Sequence, residues 1–312
     1  VNVKSKVVIN AGGPWVDSIR NLDYTKNNKH LKLSKGVHIV FDASTFPLKQ
    51  AVYFDTHDKR MVFAIPRHGK TYVGTTDDFY DGDPGDMIVF KHEVEYLLHA
   101  IKDMFPSISL SEKDVESSWA GVRPLIHQEG KDPSEISRKD EIWESESNLI
   151  TIAGGKLTGY RKMAETIVDL LYQKYIPHDQ FIHKACQTKH LPVSGGDVGG
   201  SKGWVQFKKE WVEKLKTEGL NEEKSKELVH LFGSNLPVVV QYLHENNSNL
   251  PDHMYVKLMY SLYHEMIVSP VDFFFRRTGE LLFNIDEVTK YKDDVVNTMS
   301  QLFRRGAFET YE

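Results

Sequence analysis

The chain has 312 residues, enough for about two domains of ordinary size. Apolar residues make up 40% and charged residues 27%, a globular balance that excludes a disordered or collagen-like chain. The 39 lysines and arginines against 44 acids leave a net charge of −5, which excludes a protein built mainly to grip nucleic acid. No apolar run approaches the roughly 20 residues that a bilayer span needs. The single cysteine, Cys186, rules out an internal disulfide and a cysteine-rich zinc site, an intracellular type of composition.

The chain opens Val1-Asn2-Val3-Lys4, with no initiator methionine and no signal-like stretch, and its first element reads as an interior strand. A segment of a larger protein is expected. That strand is the run Val7-Val8-Ile9, expected to be buried and broken by Asn10-Ala11-Gly12-Gly13-Pro14-Trp15, where Pro14 is placed to start a helix. Between residues 35 and 76 come short runs separated by aspartate, glycine and proline: Val37, Ile39 and Phe41; Val52 and Phe54; Met61, Phe63 and Ile65; Tyr72 and Val73. They predict an antiparallel sheet with one buried face. Helical spacing follows over 92–104, with Val94, Leu97, Leu98 and Ile101 on one face. Strands are expected at 115–122 and 149–153, the second ending at Gly154-Gly155 before a helix that begins near Thr158. Residues 176–201 are polar and glycine-rich, and beyond them 204–216, 221–232, 255–267 and 285–303 read as amphipathic helices. The predicted fold class is mixed, α+β or α/β, followed by an all-α C-terminal domain. The boundary falls at 176–190.

Several motifs bear on chemistry. Ile150-Thr151-Ile152-Ala153-Gly154-Gly155-Lys156-Leu157-Thr158-Gly159-Tyr160-Arg161 runs an apolar strand through a double glycine into a helix. Glycines there admit a ligand to the backbone, and the first-turn N–H groups with the helix dipole favour negative charge. A tight connection with a solvated lysine has the same signature. In Ser118-Trp119-Ala120-Gly121-Val122-Arg123-Pro124, Arg123 is held extended by the following proline and offers a planar fork to carboxylate or phosphate, or sits at the solvent end of a strand. His38, in Lys35-Gly36-Val37-His38, is suited to proton transfer or to a structural hydrogen bond. No Walker A loop, Gly-x-Gly-x-x-Gly, Gly-x-Ser-x-Gly or His-Glu-x-x-His occurs; Gly195-Gly196-Asp197-Val198-Gly199-Gly200 reads as a loop. No metal site is expected: His178 and His183 read as surface residues, and Arg304-Arg305 is too short a basic run to signify.

In their order, these segments resemble a known family. Asn10 to Trp15 resembles the strand–turn of the glycine/D-amino-acid oxidase superfamily of flavoproteins. Lys35-Gly36-Val37-His38, Gly74-Thr75-Thr76-Asp77, Gly121-Val122-Arg123-Pro124 and Gly154 to Arg161 then follow at the spacing of FAD-dependent (aerobic) glycerol-3-phosphate dehydrogenases. The resemblance implies oxidation of sn-glycerol 3-phosphate to dihydroxyacetone phosphate, with hydride passing to FAD and electrons on to a quinone. It implies phosphate ligands at Arg123 and Lys156, converging over one pocket beside the flavin, and an active-site histidine at His38. Flavin contacts are implied at Ala11, Gly12, Gly154, Gly155, Lys156, Leu157 and Thr158. Residues 1–34 and 115–175 would be the remainder of an FAD-binding domain, 35–114 a substrate-binding sheet, and 176–312 a helical cap. A cytoplasmic location with peripheral membrane contact is implied, and a homodimer is compatible with it. The family's glycine-rich pyrophosphate loop has no counterpart here, so the chain alone is expected to hold FAD weakly or not at all and to lack activity.

Two other readings compete. In an amino-acid or hydroxy-acid oxidase of the same superfamily, Arg123 would hold a carboxylate; a second cation at Lys156 favours phosphate. In a non-catalytic reading the helical tail is an interaction or membrane-docking module, with Phe273-Phe274-Phe275-Arg276-Arg277 at the interface or forming a buried aromatic cluster.

Overall fold

The computed structural model describes residues 2–23, 29–127, 139–176 and 184–303, so His178, His183, Arg304 and Arg305 lie outside the described residues. Two compact units divide the chain at Lys189 and His190.

The first unit holds two sheets. The smaller is built from β1 (Val8–Asn10), β8 (Asp140–Glu144) and β9 (Leu149–Gly154) in the order β1-β9-β8. β1 and β9 run parallel, with Asn10 opposite Thr151, so both strands deliver their following turns to the same edge. Val8 and Ile9, expected to be buried, are exposed; β1 pairs with β9 on one side only. A turn at Gly13–Trp15 leads into α1 (Val16–Asn21), whose Val16 is fully buried.

The larger sheet is organised around β2 (Leu31–Asp42), a strand of twelve residues. Along one side it pairs with β7 (Ser117–Ile126) over ten positions, from Leu31 opposite Ile126 to Val40 opposite Ser117. Along the other side β5 (Lys70–Gly74) and β6 (Asp78–Tyr80) lie end to end, facing His38–Asp42 and Leu33–Lys35 respectively. β4 (Met61–Arg67) and β3 (Val52–Asp55) continue the sheet beyond β5. β7, read from sequence with the 1–34 segment, thus lies in the same sheet as the 35–80 strands.

Alternation along β2 sends Val37, Ile39 and Phe41 to one face, where they meet Val62, Ala64, Val73 and the apolar stripe of α2 (Lys91–Met104), Leu97, Ala100 and Ile101. One expectation fails here. Met61 and Phe63 point away from this core and are exposed, while Val62 and Ala64 are fully buried. The strand reading was right and its faces were inverted, because the outer face of β4 is the more apolar one. β9 is followed by a short turn, Leu157–Gly159, and then α3 (Tyr160–Tyr175), so the helix starts two residues later than Thr158.

The second unit is all-helical among the described residues: α4 (Gly200–Thr217), α5 (Glu222–Phe232, capped by the Asn221 side chain), α6 (Leu236–Val239), α7 (Asp252–His264), α8 (Glu280–Phe283) and α9 (Ile285–Phe303). Of Gly195–Gly200, expected as a loop, residues 195–199 form the loop before α4 and Gly200 opens the helix. A π-helical turn at Asp272–Arg277 buries Phe273 and Phe274 and leaves Phe275 partly exposed, so two of the three phenylalanines belong to the core. No helix of the described residues is long and apolar enough to cross a membrane.

Candidate active site

The face of β2 opposite the core carries Ser34, Gly36 and His38, and register fixes what surrounds them. His38 lies opposite Trp119 on one side and Gly74 on the other; Gly36 lies opposite Gly121, and Ser34 opposite Arg123. Since residues two apart share a face, three separate sequence motifs meet here.

The His38 ring stacks on Trp119 with centroids 4.7 Å apart and planes within 6°, and Tyr72 tilts against it at 6.2 Å. Gly74 makes room for it: a Cβ at that position would come within 2.3 Å of the imidazole Cδ2. Burial, and secondarily the charge of Arg123, push the His38 pKa down to about 4. The ring is therefore neutral at pH 7. Its Nδ1 is buried without a hydrogen-bond partner.

Arg123 lies half-buried across the same face. Its Nη1 donates to Asp77 Oδ1 at 3.0 Å, and the Ser34 hydroxyl donates to the same carboxylate oxygen. Gly36 provides the clearance, since a Cβ there would sit 3.1 Å from Arg123 Nη2 and 2.3 Å from Thr75 Oγ1. Thr76 accepts from the Val37 N–H at 3.0 Å, tying the Gly74–Asp77 break between β5 and β6 to β2. From the core side Lys35 holds β2 to α2 through a buried ion pair with Glu93 at 2.7 Å.

A second group of candidates gathers where β1 and β9 end. The buried Asn10 side chain donates to Val16 O at 2.9 Å and accepts from the Gly12 N–H at 3.2 Å, which fixes the Ala11-Gly12 turn. Gly154 and Gly155 both take positive φ, 74° and 80°. A Cβ on Gly154 would meet Lys139 O at 2.6 Å and one on Gly155 would meet Met163 Sδ at 2.9 Å, so only glycine fits both positions. Lys156, Leu157 and Thr158 are exposed. Gly154 also lies against Ile126 of β7, so the carboxyl ends of β9 and β7 adjoin; Arg123 is three residues back along β7, about 10 Å from Ile126 by strand rise.

The structure thus brings His38 and Arg123 together and places Ala11, Gly12 and Gly154–Thr158 at one strand edge. Asp77, Ser34, Gly36, Gly74 and Trp119 complete the His38–Arg123 face. Sequence showed all but Ser34 only as motif members without roles, since their partners lie far along the chain, 46 residues away for Asp77 and Arg123 and 81 for His38 and Trp119. No group of three or more histidine, cysteine or acidic side chains could hold a metal among the described residues.

The first unit therefore sets paired glycine turns at the ends of parallel strands together with an antiparallel sheet that carries a neutral histidine and a held arginine. The chain belongs to the family of FAD-dependent oxidoreductases, whose model matches residues 1–160, and residues 186–307 match the C-terminal domain of alpha-glycerophosphate oxidase. It is 53% identical over 304 residues to an aerobic glycerol-3-phosphate dehydrogenase of Staphylococcus haemolyticus and 51% identical to that of a Staphylococcus aureus strain. Each match covers 96% of this chain and 55% of the relative, so the chain spans about half the length of the curated relatives it matches. The crystal structure of a glycerol-3-phosphate dehydrogenase from Bacillus halodurans, complexed with FAD, superposes with a TM-score of 0.88 at 45% identity, covering 97% of this chain and 59% of that one.

Proposed function

We propose that this chain contributes the substrate-facing part of an enzyme that oxidises sn-glycerol 3-phosphate to dihydroxyacetone phosphate with FAD. The observation that carries the reading is the joint placement of a neutral, buried histidine and a held arginine on one face of the larger sheet. The residues present fit the flavin's ring end: Gly154 and Gly155 leave backbone open to a close approach, and the turn at Leu157–Gly159 leads into α3, a helix start of the kind that favours negative charge. When bound, FAD supplies the two-electron acceptor for the hydride from carbon 2.

Arg123 binds the substrate phosphate through its planar fork, and Lys156 adds a second, point-like cation to the same pocket. A dianion held by two cations is fixed in register with the sheet, which sets the position of carbon 2 relative to His38. His38, neutral at working pH, accepts the proton of the carbon-2 hydroxyl as the hydride leaves. Backbone at Ala11, Gly12 and Gly154 to Thr158 would hold the flavin, and the α3 N-terminus would favour negative charge beside it. Residues 35–114 supply most of the substrate sheet, 1–34 and 115–175 the cofactor side, and 176–312 the cap. We place the enzyme on the cytoplasmic face of the cell membrane, as a homodimer that passes electrons to a quinone. Exposed Met266, Val268, Val271 and Phe275 beside Arg276 and Arg277 support contact with that surface.

The test uses protein of the full length of these relatives, loaded with FAD. Glycerol 3-phosphate should bleach the flavin absorbance, and glycerate and sarcosine should not; Arg123→Ala and Lys156→Ala should each raise KM for glycerol 3-phosphate. Equal bleaching by sarcosine would overturn the proposal.

A further inference from the structure

We propose that Asp77 is the positioning residue for Arg123, holding the guanidinium across β2 in the orientation that meets the substrate phosphate. The inference rests on the reading of Arg123 as a phosphate ligand.

A carboxylate in contact with a phosphate-binding arginine opposes that arginine's task, because it repels the incoming dianion and offsets the cation's charge. Asp77 nevertheless stands 3.0 Å from Arg123 Nη1, with the Asp77 side chain largely buried and Arg123 half-buried. The return is geometric. Arginine has a long side chain with many rotamers, and a ligand that must order it loses affinity in doing so. Here the ordering is done in advance. Nη1 is held by Asp77 Oδ1, that oxygen is itself held by the Ser34 hydroxyl, and Gly36 supplies the space in which the guanidinium lies. The carboxylate has a fixed base: it follows Thr76, which is buried and accepts from the backbone of Val37. The buried Lys35–Glu93 pair fixes the same stretch of β2 from the opposite face.

The sign of one substitution separates positioning from simple charge. Titration calorimetry of this 312-residue chain with sn-glycerol 3-phosphate, and with inorganic phosphate as a second probe, reads affinity directly. Asp77→Ala removes a negative charge, and on electrostatics alone it would tighten binding of either anion. Positioning predicts the reverse, a loss of about fivefold, the usual cost of ordering one such side chain on binding. Asp77→Asn keeps an oxygen acceptor for Arg123 without the charge and should restore affinity to the wild-type value or better. Ser34→Ala, which loosens the carboxylate without altering any charge, should fall between wild type and Asp77→Ala.

A ligand-free readout comes from the His38 ring, followed by its Cε1–H resonance across pH. Arg123 contributes to holding that pKa down, so Asp77→Ala, which lets the guanidinium leave, should raise it from about 4, whereas Asp77→Asn should leave it at or below that value. Tighter anion binding in Asp77→Ala, or a His38 titration unmoved by it, overturns the proposal. If wild type and Arg123→Ala bind phosphate equally while His38 still responds to Asp77→Ala, the phosphate reading fails and the positioning of Arg123 by Asp77 stands.

Discussion

Replacing Gly74 by alanine tests how the larger sheet sets the chemistry of His38. The new Cβ would lie 2.3 Å from the imidazole Cδ2 and 2.7 Å from Cγ and Nε2. Carbon atoms in contact settle at about 3.5–4.0 Å, so the ring has to retreat by about 1.2–1.7 Å. It cannot slide along the row, because Trp119 is stacked on it. It must swing outward, at an overpacking cost of about 1–3 kcal/mol. Exposure relieves the burial that depresses its pKa, which should climb from about 4 toward the ordinary 6.5. Stability follows with a definite sign. In wild type the unfolded chain takes up the His38 proton near 6.5 and the folded chain only near 4, so unfolding binds a proton within that window. The contribution is full above pH 6.5 and is lost as pH falls toward and through 4. Between pH 7 and pH 5 this amounts to about 2 kcal/mol for wild type and to much less for Gly74→Ala. Proton–carbon spectra of the histidine Cε1 groups give the pKa, and hydrogen exchange of β2 and β5 amides at the two pH values gives the local stability. A Gly74→Ala protein whose His38 still titrates near 4, with an unchanged pH dependence of exchange, would refute the account.

Three further perturbations have expected outcomes. Lys257 on α7 is fully buried and bonded to Glu227 at 2.7 Å and to the buried Glu280; Lys257→Ala leaves Glu280 uncompensated and Glu227 with Lys224 alone, and should cost about 3–5 kcal/mol, read as a lower unfolding midpoint that Glu280→Gln partly restores. Gly154→Ala should destabilise more than Gly155→Ala by thermal melting, since positive φ strains both but the first also meets the rigid Lys139 carbonyl and the second the flexible end of Met163. Asn10→Ala removes the bonds to Val16 O and from Gly12 N and should cost about 1–3 kcal/mol, with faster exchange of amides at the start of α1.

Much of this was legible in the sequence. Periodicity along β2 gave the core face directly, because Val37, Ile39 and Phe41 are β-branched or aromatic at every second position and meet α2. Glycine pairs marked both the turn after β9 and the loop before α4, since backbone conformations with positive φ are a local property. What the sequence withheld is pairing. Nothing in the run Gly74-Thr75-Thr76-Asp77 says that its glycine faces a histidine on β2 and its aspartate an arginine on β7; register alone brings them together. The Lys257 network was hidden for the same reason, as its partners come from two other helices.

The inverted reading of β4 carries the argument one step further. An antiparallel sheet with one face in water ordinarily shows apolar residues inward and polar ones outward. Here register lines up Tyr53, Phe63, Gly74, His38 and Trp119 in a single row across β3, β4, β5, β2 and β7 on the outer face. Tyr53 and Phe63 are themselves stacked, with centroids 4.1 Å apart, and both are exposed. The alternation rule assigned Met61 and Phe63 to the core because it counts hydrophobicity, and on β4 the outer face, with Met61, Phe63 and Ile65, is the more apolar one. A row of flat rings with a glycine at its centre is poorly matched to water and well matched to a planar ring system, which is the kind of partner that the proposed flavin chemistry brings to this face. Sequence patterning therefore failed on β4 because the outer face departs from the polar pattern of a solvated sheet, and it does so on the face that carries His38 and Arg123.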